Sequence, residues 1–229
     1  MLKPVAVVTA DLVRSSQYTP SHRRKLQTLL LHAFTDVRNR YRGAIQAPLR
    51  FRVTAGDEFQ WVVAEPAIAW ETIVYLRAVL ASPRTPPRGF FRASIGIGSI
   101  TVVRARNPYE QDGEAFRRAR HGLEQMSSFR GARRWTTMTT GDVTFDDWAN
   151  TMLVLLDHFQ QEWTREQWEA VRWTLVGLGR EQIGAKLRVA HQNVTKRLLA
   201  ADWPSFNAGF EYVRTHLELG HPKLGAKRL

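Results

Sequence analysis

Two acidic side chains stand side by side in the stretch FRVTAGDEFQWVVAEP, where Gly56, Asp57 and Glu58 separate two segments typical of strands. A third acid, Asp11, ends the β-branched segment PVAVVTADL. Hard cations such as Mg²⁺ prefer carboxylate ligands, with waters and substrate phosphates completing the octahedron. A cation held in this way orients phosphates and neutralises their charge in phosphoryl or nucleotidyl transfer. The alternative is an ordinary polar turn, because Gly-Asp is common in turns.

The elements around these acids are predicted to alternate as β-α-β-β-α-β-α-β over the first 140 residues. In this order the first strand can lie beside the hairpin, so that the three carboxylates converge on one edge of the sheet. The first helix is predicted to end before Gly43, with Thr19 or Ser21 as its N-cap and Pro20 in its first turn. The pattern predicts an α+β fold, with an antiparallel sheet and helices on one face.

Strand patterns stop after Gly141, and the remaining segments are typical of helices. We therefore predict a sheet domain over residues 1–145 and an all-α domain over residues 146–218. The segment 219–229, which is rich in Gly, Pro and Lys, is predicted to be a flexible tail.

A helix-turn-helix pattern lies in the all-α part of the chain. GREQIGAKL predicts a short helix, RVA a tight turn and HQNVTKRLLAA a second helix. Gly184 allows the two helices to approach closely, and the apolar residues that hold them together are predicted to be Ile183, Leu187, Val189, Val194 and Leu198. The spacing resembles that of sigma-factor region-four and response-regulator domains, although Arg188 stands where Gly is most common in the turn.

The second helix of such a pair enters the major groove of DNA. Gln and Asn pair with adenine and Lys with guanine, so the predicted base-reading residues are Gln192, Asn193 and Lys196. The other predicted DNA contacts, mostly to phosphates, are Arg188, His191, Thr195 and Arg197. The alternative is a helical hairpin that serves packing or dimerisation.

Composition narrows the classes of function. The formal net charge of the 229-residue chain is +12, which favours nucleic acid, nucleotides or another polyanion as a partner. The absence of cysteine excludes thiolate metal sites and cysteine nucleophiles, and the seven histidines show no metal-ligand spacing. No signal peptide or membrane-spanning segment is predicted, which indicates a cytoplasmic protein with no membrane partner.

Several motifs together resemble known families. TAGDEFQWVV is similar to the GGDEF signature of nucleotidyl cyclases, SIGIGSI is similar to a later strand of those domains, and Ala55 replaces the first Gly of the signature. With DGEAFRRARHGLEQM and the helical C-terminal part, the whole pattern resembles the SatD family more closely. The fold class that this resemblance implies is a ferredoxin-like or nucleotidyl-cyclase-like sheet domain followed by an all-α helix-turn-helix domain.

The resemblance to cyclases also implies site residues. Asp11 and Asp57 would be metal ligands for Mg²⁺ or Mn²⁺, and Glu58 would be a third ligand or an acid near the nucleotide. The residues expected to contact a nucleotide lie in the turn after the first strand, at the hairpin glycine and on the helix after the SIGIG strand: Arg14, Ser15, Ser16, Gly56, Arg117 and Arg120.

Three functions remain open at this point. The first is a homodimeric transcriptional regulator, in which the sheet domain binds a nucleotide and the second helix of the pair reads DNA. The second is a metal-dependent nucleotidyl cyclase or nucleotidyltransferase, in which Asp11, Asp57 and Glu58 would be catalytic. The third is an assembly protein whose carboxylate turn binds nothing. We expect the first.

Overall fold

The computed structural model describes residues 3–13, 17–41, 43–44, 52–55, 57–84, 89–101, 112–128 and 134–219, with the backbone alone at 52–55 and 127–128. The strands are β1 (Val5–Leu12), β2 (Arg52–Ala55), β3 (Glu58–Val63), β4 (Phe91–Gly98) and β5 (Thr136–Thr139). The helices are α1 (Pro20–Arg40), α2 (Ala69–Ala81), α3 (Glu114–Ser128), α4 (Val143–Glu162), α5 (Arg165–Leu175), α6 (Arg180–Leu187), α7 (His191–Ala200) and α8 (Trp203–Glu218). None of the described helices is long and apolar enough to cross a membrane.

The five strands form one sheet in the order β2-β3-β1-β4-β5, with β1 at its centre. The predicted order of elements is confirmed, but the sheet is mixed rather than antiparallel because β5 runs parallel to β4. Parallel neighbours need a crossover connection, and α3 supplies it. The predicted α+β class is confirmed, because one sheet packs against helices in a common core.

The helices lie on both faces of the sheet, so the prediction of helices on one face is wrong. Side chains alternate along a strand, and in β1 Ala6, Val8 and Ala10 belong to the large core that includes α1 and α2. Val7 points to the opposite face, where it packs with residues of α3 such as Ala119.

Helix α1 begins as its sequence predicts. The Thr19 side chain accepts a hydrogen bond from the backbone N–H of His22 at 3.3 Å, and Pro20 occupies the first turn. Proline is suited to this position because the first backbone N–H groups of a helix have no intrahelical partner. The buried residues recur with helical spacing: Leu26, Leu30, Ala33, Phe34 and Val37.

One continuous core joins the sheet to the C-terminal helices. Helix α2 is buried on every side except at Glu71, and its Trp70 stacks on Phe210 of α8 with ring centroids 4.9 Å apart. A second contact joins α1 to the end of α5, where Arg40 donates a hydrogen bond to the carbonyl of Val176 at 2.9 Å. The predicted division at residue 145 therefore falls within a shared core.

Helix α3 packs directly on the backbone of β4 at Gly96. A Cβ atom on Gly96 would lie 2.1 Å from the carbonyl oxygen of Ala115 and 2.4 Å from the backbone nitrogen of Ala119. These are backbone atoms, so neither can rotate away. Only glycine fits at this contact.

We expect Gly96→Ala to lower the free energy of unfolding by about 1–3 kcal/mol, because the added methyl group pushes α3 off the sheet. Urea unfolding followed by circular dichroism would measure the loss. Gly89→Ala is the matched control, since the contacts of its added methyl group are with side-chain methyls, those of Leu26 at 3.0 and 3.3 Å and one of Leu12 at 3.8 Å. Equal stability of the Gly96 variant and the wild type would contradict the expected clash.

Candidate functional site

Two of the three acids named by the sequence, Asp11 and Glu58, lie on one face of the sheet. Register places Asp11 of β1 directly opposite Glu58 of β3 on one side and Arg92 of β4 on the other. Because directly opposed residues in a sheet point to the same face, the three charged side chains form a row across three strands. The next row along the same face is polar, and there Gln60 donates to the hydroxyl of Thr9 at 2.8 Å.

Arg92 forms a two-point ion pair with Asp11. Its Nη2 lies 2.5 Å from Oδ2 of Asp11, and its Nε lies 3.2 Å from Oδ1. The Arg92 side chain is 29% exposed and that of Asp11 is 20% exposed. A planar guanidinium that meets both oxygens of a carboxylate is among the stronger and more directional side-chain contacts.

The residues as arranged do not fit the expected Mg²⁺ or Mn²⁺ ion. Both oxygens of Asp11 already accept hydrogen bonds from Arg92, and a divalent ion would have to compete with that guanidinium. Among the residues that the structure describes, no group of three or more His, Cys, Asp or Glu side chains is placed to hold a metal ion. Asp57 lies beside the pair, where its backbone carbonyl accepts a hydrogen bond from the N–H of Leu12 at 3.2 Å.

Two of the six predicted nucleotide contacts, Arg117 and Arg120, lie within the described residues. Arg14, Ser15, Ser16 and Gly56 lie outside the described residues. Arg117 and Arg120 are exposed on α3 and lie about one helical turn apart.

Two arginines, Arg117 and Arg118, make contacts that hold the start of α3 in place. Arg117 pairs with Asp112 at 2.9 Å. Arg118, next along the chain, donates to the carbonyl of Ile97 at 2.6 Å and lies 3.6 Å from Glu114. These contacts hold the first turns of α3 beside the end of β4, so Arg118 has a structural role.

A second candidate site is the helix pair α6–α7, whose turn has the predicted position. Arg188 adopts the left-handed conformation with φ 58° and ψ 46°. The N–H of Val189 bonds to the carbonyl of Gly184 at 2.9 Å, and the N–H of Arg188 bonds to that of Ala185 at 3.3 Å. This is the Schellman arrangement that ends many helices, usually with glycine in the position of Arg188.

Helix α7 has a buried side and an exposed side. Val194 and Leu198 are buried with Ile183 of α6. Five of the seven predicted DNA contacts are exposed: Arg188 in the turn and His191, Gln192, Asn193 and Lys196 on the helix. The Thr195 hydroxyl donates to the carbonyl of His191 at 3.2 Å.

Arg197 has a different partner from the one that its sequence position suggests. Its Nη1 lies 3.3 Å from Oε2 of Glu169 on α5. The other oxygen of Glu169 accepts a hydrogen bond from Arg165 at 2.7 Å. Arg197 therefore ties α7 to α5, and a role in phosphate binding stays a prediction.

The tryptophans of this region mostly serve packing. Trp163 and Trp168 are 7% and 1% exposed, and their ring centroids lie 4.7 Å apart. Trp163 also donates to the carbonyl of Ala201 at 2.7 Å, which fixes α4 against the end of α7. These contacts indicate that both tryptophans support the helix pair.

We expect Gly184→Ala to separate α6 from the turn and to weaken any function of α7. An added Cβ would lie 2.7 Å from the carbonyl oxygen of Val189, a backbone atom, and such overpacking costs about 1–3 kcal/mol. Thermal unfolding would measure the cost. Gly179→Ala is the control, because its nearest contact would be Oε1 of Gln182 at 3.7 Å. A Gly184 variant as stable as the control would contradict this account of the turn.

Arg92 and Glu169 are the residues that sequence reasoning missed. A sequence signal existed for Arg92, because it is the only charged residue in the strand FRASIGIG. It also stands an even number of residues before Gly96, so it points to the same face of the sheet as Gly96, which contacts α3. For Glu169 the only signal was the i,i+4 spacing to Arg165, since its other partner, Arg197, lies on α7.

The region from the first strand to the start of α8 matches one protein family as a whole. The model of the SatD family matches residues 5–203, a span that includes the Asp11–Arg92 pair and the α6–α7 pair. A search of curated proteins finds no match to the chain. The chain belongs to the SatD family.

Proposed function

We propose that the protein is a DNA-binding transcriptional regulator whose α7 helix reads base edges in the major groove. The observation that supports this most is the exposed polar side of α7, which carries Gln192, Asn193 and Lys196 opposite the buried Val194 and Leu198. These three side chains can donate to or accept from base edges.

The arrangement around α7 has the features of a DNA-reading unit. Helices α5 and α6 hold α7 through the Arg197–Glu169 pair and through the close contact at Gly184. The turn residue Arg188 is exposed next to the start of α7, where a cation meets the phosphate backbone in helix-turn-helix complexes. The net charge of +12 steers such a surface toward DNA.

We infer further that the sheet part, resembling a nucleotidyl-cyclase domain, binds a nucleotide that modulates DNA binding, and that the protein acts as a homodimer. Two copies of α7 about 34 Å apart would reach successive turns of a palindromic site. The metal-dependent cyclase alternative has weaker support, because Asp11 is already paired with Arg92.

Fluorescence anisotropy would test this function. The protein is titrated onto DNA from upstream of its own gene and onto a scrambled DNA of equal length, across a range of salt, with and without ATP or GTP. Preference for the native DNA that persists at moderate salt supports the proposal. Equal affinities that fall steeply with salt would mean that only the basic charge binds, and the proposal would be abandoned.

A further inference from the structure

We propose that Arg92 is the built-in counter-cation of Asp11, so that this edge of the sheet holds its acids without a divalent metal ion. The inference concerns the ion requirement of the sheet part and does not depend on DNA binding. It reverses the expectation of bound Mg²⁺ or Mn²⁺ that the cyclase resemblance implies.

The pairing is set by two backbones rather than by flexible side chains alone. Asp11 and Arg92 are direct partners in the β1–β4 ladder, and both strands lie inside the sheet with neighbours on either side. The next residue of β4, Ala93, donates its N–H to the carbonyl of Trp135 at 2.8 Å. The backbones of the two strands therefore hold the Asp11 and Arg92 side chains next to each other.

The guanidinium of Arg92 gives Asp11 the positive charge that a metal ion would otherwise supply. A guanidinium supplies a permanent positive charge and two parallel donors that match the two oxygens of a carboxylate. Nη2 and Nε of Arg92 reach Oδ2 and Oδ1 at 2.5 and 3.2 Å. Binding of a divalent ion to the same oxygens would break these hydrogen bonds, and the guanidinium beside them would repel the ion.

Arg92 also reduces repulsion within the row. Asp11 lies directly opposite Glu58 across the β1–β3 ladder, and like charges at directly opposed positions destabilise a sheet. The positive charge on the other side of Asp11 offsets this cost. Removal of Arg92 therefore leaves Asp11 without this counter-cation, and a divalent ion can then take the place of the guanidinium.

Binding of Mn²⁺ alone, followed by electron paramagnetic resonance of the free ion, tests the inference. The proteins compared are the wild type, Asp11→Asn, Arg92→Ala and the double variant Arg92→Ala with Asp11→Asn. Arg117→Ala is the matched control, because it also removes the arginine partner of an aspartate, Asp112, in an exposed ion pair.

We expect the wild type and Asp11→Asn to bind Mn²⁺ equally weakly, which means that no binding depends on Asp11. Arg92→Ala should bind at least tenfold more tightly than the wild type, and the double variant should lose that gain. Arg117→Ala should bind like the wild type.

Two results would overturn the inference. One is binding by the wild type that Asp11→Asn abolishes, since the ion would then displace Arg92. The other is a folded Arg92→Ala that gains no binding. Circular dichroism checks the fold, and if Arg92→Ala does not fold, the comparison of the wild type with Asp11→Asn decides alone.

Discussion

Replacing Asp157 with alanine should lower the free energy of unfolding by about 3–5 kcal/mol, because the change leaves the charge of Arg77 buried without its ion-pair partner. Both side chains are fully buried, and Nη1 of Arg77 lies 3.2 Å from Oδ1 of Asp157. Burial raises the pKa of the Asp157 carboxyl and lowers the pKa of the Arg77 guanidinium, while the ion pair opposes both shifts.

The pair is the centre of a network that joins four elements. Arg77 of α2 donates to the carbonyl of Phe91 at the start of β4, at 3.2 Å, and to the hydroxyl of Thr136 in β5, at 2.9 Å. Asp157 of α4 accepts hydrogen bonds from the backbone N–H groups of Trp135 and Thr136, at 2.8 and 2.6 Å. Removal of the carboxylate therefore leaves two backbone donors without this acceptor as well.

Chemical unfolding in urea would measure the loss. Asp147→Ala is the matched control, since Asp147 is an exposed aspartate on the same helix; its substitution should change stability by less than about 0.5 kcal/mol. The double variant Arg77→Met with Asp157→Leu should lose less than either single variant, because no unpaired charge remains. A loss for Asp157→Ala no larger than that of the control would show that the network does not stabilise the fold.

The second large effect is expected at the outer side of α7, the proposed DNA-reading surface. Asn193→Ala and Lys196→Ala should each reduce binding to the native site by about 1–3 kcal/mol, because each removes side-chain hydrogen bonds to a base edge. The two changes together should reduce affinity by roughly two to four powers of ten, since contacts to separate base pairs are nearly additive. Both residues are exposed, so their substitution leaves the core intact.

Specificity distinguishes this reading role from simple charge attraction. Lys196→Ala should weaken binding to native DNA more than binding to scrambled DNA, and anisotropy titrations at matched salt would show the difference. Arg84→Ala removes the same charge from an exposed position in the sheet part and should affect both DNAs alike. An unchanged ratio of native to scrambled affinity in the α7 variants would place the contacts on phosphates and not on bases.

Local patterns predicted the elements well. Thr19, Pro20 and the apolar spacing of α1 predicted its start and its buried face, because capping and periodicity depend on neighbours in sequence. The helix pair α6–α7 was predictable for the same reason. The order of the first elements also predicted that the strand with Asp11 lies beside the hairpin, as the register with Glu58 confirms.

Long-range pairings were not predictable from such patterns. Arg92 stands 81 residues from Asp11, and Arg77 stands 80 residues from Asp157, so no local period connects them. The parallel pairing of β5 with β4 is a third case, since the strand pattern of TTMT does not specify direction. Each of these contacts is decided by which elements share a core, and the cation beside Asp11 was therefore missed.

The burial of α2 between the sheet and the C-terminal helices has an evolutionary consequence. Recombination that exchanged all of the C-terminal helices, α4 to α8, would leave Trp70 without its aromatic partners in α8, and the new helices would bring a surface not shaped for α2. Under the proposed function, new DNA targets are thus reached more easily by point substitutions on the outer side of α7, where Gln192, Asn193 and Lys196 are exposed, than by transfer of the helical part as a cassette.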